Sequence, residues 1–327
     1  MKNERDITPS DLKTVLTSHR ANMFVLSQCR VLQKDGRVVY LTSDTKEDKY
    51  YNIPIANTTF ILLGTGTSIT CAAMRYLSES GVIVGFCGNG GTPLLAGEDT
   101  SDILWHVPQS EYRPTEYLQG WLKFWNNENS RLAVAKEMQT IRIQQIIKLW
   151  GANGDRDIRA NGFSSCDHEV KAAMDEYYSG IQSAPTVQNL LTKEAHFTKR
   201  LYAYAARKTN KKGFKRDHKS DDATNGCLSH GNYLAYGLAA TALWVLGIPY
   251  GFPVMHGKTR RGALVFDVAD LIKDSLILPL AFIYSEGDAP ERVFRETCIN
   301  KFADHDTLSF LFNTVKDLSK YAEYTEC

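Results

Sequence analysis

The spacing of hydrophobic and polar residues divides the chain into two parts with different periods. Residues 19–62 alternate with the two-residue period of β-strands, and a turn-like KDG at 34–36 interrupts the alternation. The stretch TSITCAAMRYLSESG predicts a short helix that ends at Gly81, and GVIVGFCG then predicts a buried strand. The first hundred residues are therefore expected to form a compact, strand-rich domain.

After about Pro108 the period changes to that of helices. Residues 116–151 are amphipathic at helical spacing, with Trp121, Trp125 and Trp150 as large buried anchors. Further helices are predicted over 168–182, 187–208, 232–246, 263–284 and 289–323. The pattern predicts an α+β protein, with a β-rich domain at 1–106 followed by a larger all-α domain at 107–327.

Composition narrows the class of protein. The 327 residues are 43% hydrophobic and 23% charged, which is typical of a water-soluble globular protein. The net charge is only +1, so a nucleic acid would have to meet a local basic patch. The seven scattered cysteines lack a CxxC pair, and the polar N-terminus is not a signal peptide. No apolar run is long enough to span a bilayer. We expect a cytoplasmic protein with no membrane partner.

Three aspartates lie in an otherwise apolar stretch, ALVFDVADLIKDSLIL. Asp267, Asp270 and Asp274 are spaced by three and four residues, which places them on one face of a helix. Because an unpaired ionised carboxylate is costly in an apolar setting, we expect protonation, pairing with a cation or binding to a metal. On spacing alone, the commoner cause of such a cluster is pairing with Lys273, Arg260 or Arg261, or simply a solvated stripe on the helix.

A histidine and a basic loop precede the aspartates. His256 follows the apolar run VLGIPYGFPVM and comes just before Lys258, Arg260 and Arg261. A mixed imidazole–carboxylate site suits Mn²⁺ or Mg²⁺, and neighbouring guanidinium groups suit the oxygens of a phosphodiester. A core histidine and a solvated loop are the alternatives. The stretch HGKT is not a nucleotide-binding P-loop, because that motif needs glycine where the chain has Phe252.

A second concentration of charge, which we call the basic segment, covers 199–219. It contains nine lysines and arginines against one acid, with three interleaved aromatic residues. Such a local excess suits contacts with nucleic-acid phosphates, and a solvated linker is the alternative. The candidate DNA contacts in this segment are Lys211, Lys212, Lys215 and Arg216.

Together these stretches resemble a known family. HGKTRRGALVFDVADLIKD, preceded by HGNYLAYGLAATALWVLGIP and LLTKEAHFTKRLY, is similar to the CRISPR-associated integrase, the first of the numbered Cas proteins. The N-terminal NIPIANTTFILLGTGTSITCAAMRYLSESGVIVGFCG resembles the same family. The likeness covers the whole chain and is closest to subtype I-F. Its most specific feature is a histidine followed by D-x-x-D on the next helix.

The resemblance implies a dimerising β-rich domain and a helical catalytic domain with one metal site. It assigns the metal ligands to three residues, Glu194, His256 and Asp270. It gives Asp267 a supporting, catalytic role and places Asn225 near the site. One departure from the family is Ala195, where many members have glycine.

The resemblance also implies an activity, the insertion of captured DNA into a CRISPR array. A DNA 3′-hydroxyl would attack a phosphodiester at the repeat boundary, with Mn²⁺ or Mg²⁺ and no protein nucleophile. The implied partners are double-stranded DNA (the protospacer and the CRISPR repeat), a second copy of the chain, and a small companion adaptation protein, in this subtype fused to a helicase-nuclease. A general metal-dependent DNA nuclease and a non-catalytic DNA-binding scaffold are the alternatives.

Overall fold

The computed structural model describes residues 22–42, 49–87, 95–97, 100–102, 104–106, 115–211, 213–217, 222–257, 262–286 and 290–320. The chain divides into two compact units, Met1–Arg113 and Pro114–Cys327. The first unit ends at Arg113, whereas the sequence predicted a boundary at 106. The residues between these two positions, 107–113, lie outside the described ranges. The described part of the first unit contains strands and short helices, and that of the second contains helices alone. The predicted α+β class is confirmed.

The described part of the first unit contains three small sheets. Its described strands are β1 Asn22–Leu26, β2 Cys29–Lys34, β3 Arg37–Thr42, β4 Tyr50–Ile53, β5 Thr58–Leu63, β6 Ser68–Ile69, β7 Ile83–Phe86, β8 Leu95–Gly97, β9 Thr100–Asp102 and β10 Leu104–His106. One sheet has the order β1-β5-β7-β10, in which only β10 is antiparallel to its neighbour. The second has the order β4-β3-β2-β6, and β8 pairs with β9.

Local sequence accounts for the turns of the first unit. Asp35 and Gly36 have φ angles of 49° and 69°, so this two-residue turn closes the β2–β3 hairpin with both residues in the left-handed region. Helix α1, Cys71–Glu79, begins at Thr70, whose side chain accepts a hydrogen bond from Ala73 N. Its end is followed by Gly81 at φ 71°, as predicted. A short 3₁₀ helix, Ile55–Asn57, precedes β5.

The second unit is built from helices. They are α2 Glu116–Trp125, α3 Glu128–Trp150, α4 Arg156–Ala160, α5 His168–Ser183, α6 Val187–Lys208, α7 Ala223–Val245, α8 Ala263–Ile272, a π-helical segment Lys273–Ile277, α9 Leu278–Tyr284, α10 Pro290–Asp304 and α11 Thr307–Ser319. Helix α6 has the predicted bounds, and α5 ends one residue beyond them. No described helix is both long and apolar enough to cross a membrane.

Caps and left-handed residues divide some of the predicted helical segments. The segment 116–151 is two helices, because Asn127 caps α3 by accepting from the amides of Asn129 and Ser130. The segment 289–323 contains α10 and α11, with Asp306 between them in the left-handed region at φ 48°. Helix α7 begins at Ala223, well before the predicted 232, because Asp222 caps it.

Helices α7 and α8 form the buried centre of the second unit. Helix α8 packs against both α3 and α7, and its sequence is almost entirely buried. Gly231 lets α7 approach the π-helical segment closely, since a Cβ at this position would lie 2.4 Å from Cγ2 of Ile277. The aspartates at 267, 270 and 274 are thereby placed in the interior.

Candidate metal centre

The backbone leading to His256 is held from outside by two tryptophans. Trp121 Nε1 donates to the carbonyl of Phe252 at 3.0 Å, and Trp125 Nε1 donates to that of Pro253 at 2.7 Å. These two of the predicted anchors therefore fix the irregular segment that precedes the histidine.

Asp267 fixes the orientation of the His256 side chain. Its Oδ2 accepts from the amides of Val254 and Met255 at 2.7 and 3.2 Å, and its Oδ1 accepts from the His256 amide at 3.1 Å. The same Oδ1 lies 2.6 Å from Nδ1 of the His256 ring. A carboxylate that accepts Nδ1–H leaves the lone pair of Nε2 available to a ligand. Asp267 thus holds the ring in the orientation that the predicted supporting role requires.

Asp270 faces the other nitrogen of the same ring. Its Oδ2 is 3.9 Å from His256 Nε2, and its Oδ1 pairs with Lys273. The residue is buried, with 4% of its surface exposed. Burial alone would raise the pKa of Asp270, but the charges of Lys273, Arg142 and His256 hold it below its ordinary value. The carboxylate is therefore ionised at neutral pH.

The His256 ring is poised between protonation and metal binding. Burial lowers the pKa of His256, but the hydrogen bond to Asp267 and the charge of Asp270 outweigh it and raise the pKa above its ordinary value. The two carboxylates therefore favour the protonated form of the ring. A metal that binds Nε2 must displace this proton.

Glu194 reaches the charged centre from α6. Its Oε1 accepts from Arg142 Nη1 at 2.8 Å and from the hydroxyl of Thr198, one turn further along the helix, at 3.2 Å. The Glu194 side chain is 17% exposed. Arg142 experiences the charges of both Glu194 and Asp270, together with that of Asp274, so these carboxylates share one electrostatic centre.

The imidazole and carboxylate groups of Glu194, His256 and Asp270 suit a divalent cation, but the three side chains are not all within binding distance of one point. Among the residues that the structure describes, no three His, Cys, Asp or Glu side chains stand close enough together to hold a metal ion. The 3.9 Å between His256 Nε2 and Asp270 Oδ2 is within the roughly 4.2 Å that two metal–ligand bonds of about 2.1 Å can span. Glu194 would have to move away from Arg142 or bind through its other oxygen.

Arg142 is the residue that sequence reasoning missed. It lies in the middle of α3 and is 2% exposed, and its Nε donates to Asp274 Oδ2 at 2.6 Å. Pairing was one explanation of the aspartate cluster, and Lys273 does pair with Asp270. The partner that the described residues offer Asp274, however, comes from 132 residues away. The predicted partners Arg260 and Arg261 lie outside the described residues. A lone arginine within an amphipathic helix gives no local signal of such a partner.

Comparison with known proteins identifies the family. The family described as CRISPR associated protein Cas1 matches residues 23–284. The chain is also 50% identical over 318 residues to the CRISPR-associated endonuclease Cas1 of Pseudomonas aeruginosa (strain UCBPP-PA14), covering 96% of this chain and 98% of that relative. The chain belongs to the Cas1 family.

Solved structures from the Cas1 family share the fold. A TtCas1–DNA complex superposes with a TM-score of 0.59 at 20% identity, covering 92% of this chain and 97% of that chain. A chain of a partial Cas6-RT-Cas1–Cas2 complex superposes with a TM-score of 0.62 at 15% identity, covering 94% and 97%. The succession of a strand-rich unit and a helical unit is thus common to these Cas1 folds.

Asn225, which the Cas1 resemblance places near the site, contacts the basic segment. Its Oδ1 accepts from Arg216 Nη1 and from the amide of Asp217, both at 3.0 Å. Its Nδ2 donates to the carbonyl of Lys215 at 3.0 Å and to Asp222 at 3.1 Å. Among the described residues, therefore, Asn225 clamps a loop to the start of α7 and does not contact a predicted metal ligand.

The described part of the basic segment is folded back onto the helices. Lys211 Nζ bonds Glu286 at 2.7 Å, and the Phe214 ring packs on Phe282 at 4.7 Å between centroids. Arg216 Nη2 also donates to Ser229 Oγ at 3.0 Å. Lys215 is exposed. The other predicted DNA contacts lie outside the described residues; these are Lys212, Lys258, Arg260 and Arg261.

Tyr202 is a half-buried tyrosine of α6 that contacts the clamped loop. Its ring lies 5.8 Å from that of Phe214, measured between centroids. Burial and the charge of Asp274 raise the pKa of its phenol, whereas Arg216 and Lys273 act in the opposite direction.

Proposed function

We propose that the chain is a metal-dependent DNA endonuclease and integrase that inserts new spacers into a CRISPR array in antiviral immunity. The observation that carries the proposal is the orientation of His256, whose Nδ1 is occupied by Asp267 while Nε2 faces the buried Asp270. Membership of the Cas1 family and the name of the Pseudomonas relative support a nuclease.

The ligands of a Mn²⁺ or Mg²⁺ ion would be Glu194, His256 and Asp270. When bound, such an ion supplies Lewis-acid polarisation of a phosphoryl oxygen and lowers the pKa of an attacking hydroxyl. Asp267 keeps the ring in the tautomer with an available Nε2, and Lys273 holds Asp270 in its ionised form.

Strand transfer needs no nucleophile from the protein. The 3′-hydroxyl of the incoming DNA would lose its proton and form a new P–O bond, while the P–O3′ bond of the target strand breaks and its oxygen takes up a proton. Attack by water at the same phosphorus would instead give hydrolysis, so one centre accounts for both activities.

We propose that double-stranded DNA, in the form of the protospacer and the CRISPR repeat, is the substrate. Support comes from the solved TtCas1–DNA complex and from the family's association with Cas2 in the partial Cas6-RT-Cas1–Cas2 complex. The companion adaptation protein, fused to a helicase-nuclease in the subtype that the chain resembles, remains part of this proposal, as does a cytoplasmic location.

The first unit is proposed to form the homodimer. Strand β4 is at the edge of its sheet, where Tyr50 and Tyr51 are 41% and 43% exposed. An edge strand with exposed aromatic residues is a surface that proteins normally cover. Sedimentation should show a dimer at micromolar concentration, and a monomer would count against this role.

The test of the proposed reaction uses a free-ended duplex and a supercoiled target with Mn²⁺. Joined products identify an integrase, and shortened strands alone identify a general nuclease. His256→Ala should lose both products, and His196→Ala, which removes a 61% exposed imidazole from α6, serves as the control. DNA binding without metal-dependent products in the wild type would instead favour the non-catalytic scaffold.

A further inference from the structure

Arg142 is an arginine buried at the centre of the helical unit. It is 2% exposed and projects from the middle of α3. Its charge cannot be relieved by loss of a proton, because the guanidinium stays protonated in proteins. A group of this kind is retained in an interior only with full pairing. The groups that pair with the Arg142 guanidinium therefore indicate its role.

One side of the guanidinium grips a single oxygen of Glu194. Nη1 of Arg142 donates to Glu194 Oε1 at 2.8 Å, and Nη2 donates to Thr198 Oγ1 at 2.9 Å. The Thr198 hydroxyl donates in turn to the same Oε1 at 3.2 Å. Both hydrogen bonds that described residues make to this carboxylate thus end on Oε1, and neither uses Oε2.

The other side of the guanidinium is neutralised by Asp274. Nε and Nη2 of Arg142 both lie 2.6 Å from Asp274 Oδ2. Nη1 also donates to Gln139 Oε1 at 3.2 Å, and that oxygen accepts from the hydroxyl of Tyr177 at 2.7 Å. Arg142 is consequently fixed by partners from α3, α6 and the π-helical segment, and its charge is balanced before Glu194 is counted.

We propose that Arg142 is a positioning residue for Glu194, holding Oε1 so that Oε2 is presented to a divalent cation. Asp274 has a separate part, since an uncompensated guanidinium beside a ligand would repel that cation. The inference rests on the proposed function, because it takes Glu194 to be a metal ligand. It assigns to Asp274 a role in balancing charge rather than in binding the metal.

The test is a Mn²⁺ titration of Arg142→Lys, with free Mn²⁺ followed by its electron paramagnetic resonance signal. Lysine keeps the charge but cannot contact Asp274, Thr198 and Glu194 together. Loss of a group that orients a metal ligand typically costs about 10- to 100-fold in metal affinity. We expect the Kd for Mn²⁺ to rise by that factor in Arg142→Lys, even though the lysine retains the positive charge. A Kd equal to that of the wild type would overturn the proposal.

Arg131→Lys is the matched control. Arg131 is also a buried arginine of α3, but it donates to the carbonyl of Trp125 and pairs with Glu128. Its replacement should lower the melting temperature without changing Mn²⁺ affinity. A Kd raised equally in both variants would attribute the effect to general loosening of α3 and would overturn the proposal.

Thr198→Val provides a test in which the buried ion pair is intact. It removes the hydroxyl that bridges Arg142 and Glu194, and we expect Mn²⁺ to bind about 2- to 10-fold more weakly, the effect of one hydrogen bond. Unchanged affinity would overturn the proposal even if Arg142→Lys did not fold. A wild-type protein that binds no Mn²⁺ would refute the proposed function itself, whereas normal wild-type binding with unaffected variants refutes only the role of Arg142.

Discussion

Asp267→Asn should inactivate the site by changing the tautomer of His256. The asparagine has nearly the shape of aspartate, but one of its two polar atoms is a donor. If Nδ2 takes the place of Oδ1, it faces the amide and Nδ1 of His256; if it takes the place of Oδ2, it faces the amides of Val254 and Met255. The two orientations therefore sacrifice different numbers of backbone hydrogen bonds.

The number of bonds lost decides which orientation is populated. Placing Nδ2 at the Oδ1 position costs one amide bond, and placing it at the Oδ2 position costs two. Leaving one more buried amide donor without an acceptor costs about 1–3 kcal/mol, so the first orientation is favoured roughly 5- to 150-fold. In it Nδ2 donates to His256 Nδ1, which moves the ring proton to Nε2. An Nε2–H cannot bind a metal.

The assay combines strand joining with the ¹⁵N shifts of the His256 ring. We expect joining to fall about 10- to 100-fold, with the ring proton mostly on Nε2, the usual cost of losing a group that orients a metal ligand. Asp155→Asn is the control, because Asp155 also accepts from backbone amides and contacts a ring, that of His305. Wild-type joining by Asp267→Asn, or an Nδ1–H tautomer in it, would refute this reasoning.

Three further predictions follow from the same contacts. Mn²⁺ affinity should fall as the pH is lowered, because His256 then takes up a proton that competes with the metal. The fall should begin above pH 6.5 because the pKa of the ring is raised, and an onset well below 6.5 would contradict this. The Ile158 amide, Lys301 and His305 lower the pKa of Asp155 against the effect of burial. The Asp155 carboxylate therefore stabilises the fold at pH values above the pKa that it has in the unfolded chain. This stability is lost as the pH falls through the pKa of the folded state. Asp155→Asn should therefore lower the free energy of unfolding at pH 7 by about 1.5–3 kcal/mol, the effect of a charged hydrogen bond, since Lys301 keeps Asp157 as a partner. The difference should be smaller in acid, as denaturant titrations at the two pH values would show. Finally, Lys215→Ala should reduce the slope of log DNA affinity against log salt by about 0.9 at unchanged melting temperature, whereas Arg216→Ala should lower the melting temperature; an unchanged slope for Lys215→Ala would remove it from the DNA contacts.

Local periodicity was sufficient to predict most elements of the fold. The KDG turn, the end of α1 at Gly81 and the bounds of α6 depend on a few neighbouring residues, and all three are observed. The start of α7 was missed because its first turns contain small and polar residues, including Gly226 and Gly231. Gly231 is there for a tertiary reason, the close approach of Ile277, and such a contact has no local pattern.

The site shows the same division between local and long-range information. The apolar surroundings predicted a largely buried helix, and the burial of all three aspartates shows that the alternative of a solvated stripe was wrong. Their partners did not follow, because Asp274 pairs with Arg142 across 132 residues and Asp267 accepts backbone amides that carry no sequence signature. Glu194 was found only through family resemblance, because the sequence of an amphipathic helix does not distinguish a half-buried glutamate from a solvated one.

The most direct test of the central claim is an anomalous difference map from crystals of the protein grown with Mn²⁺. The account predicts one manganese peak within about 2.0–2.3 Å of Glu194, of His256 Nε2 and of Asp270, with Asp267 still bonded to Nδ1. It would be contradicted by crystals of a joining-competent protein in which this position holds no manganese, Glu194 stays on Arg142 and Asp270 stays on Lys273.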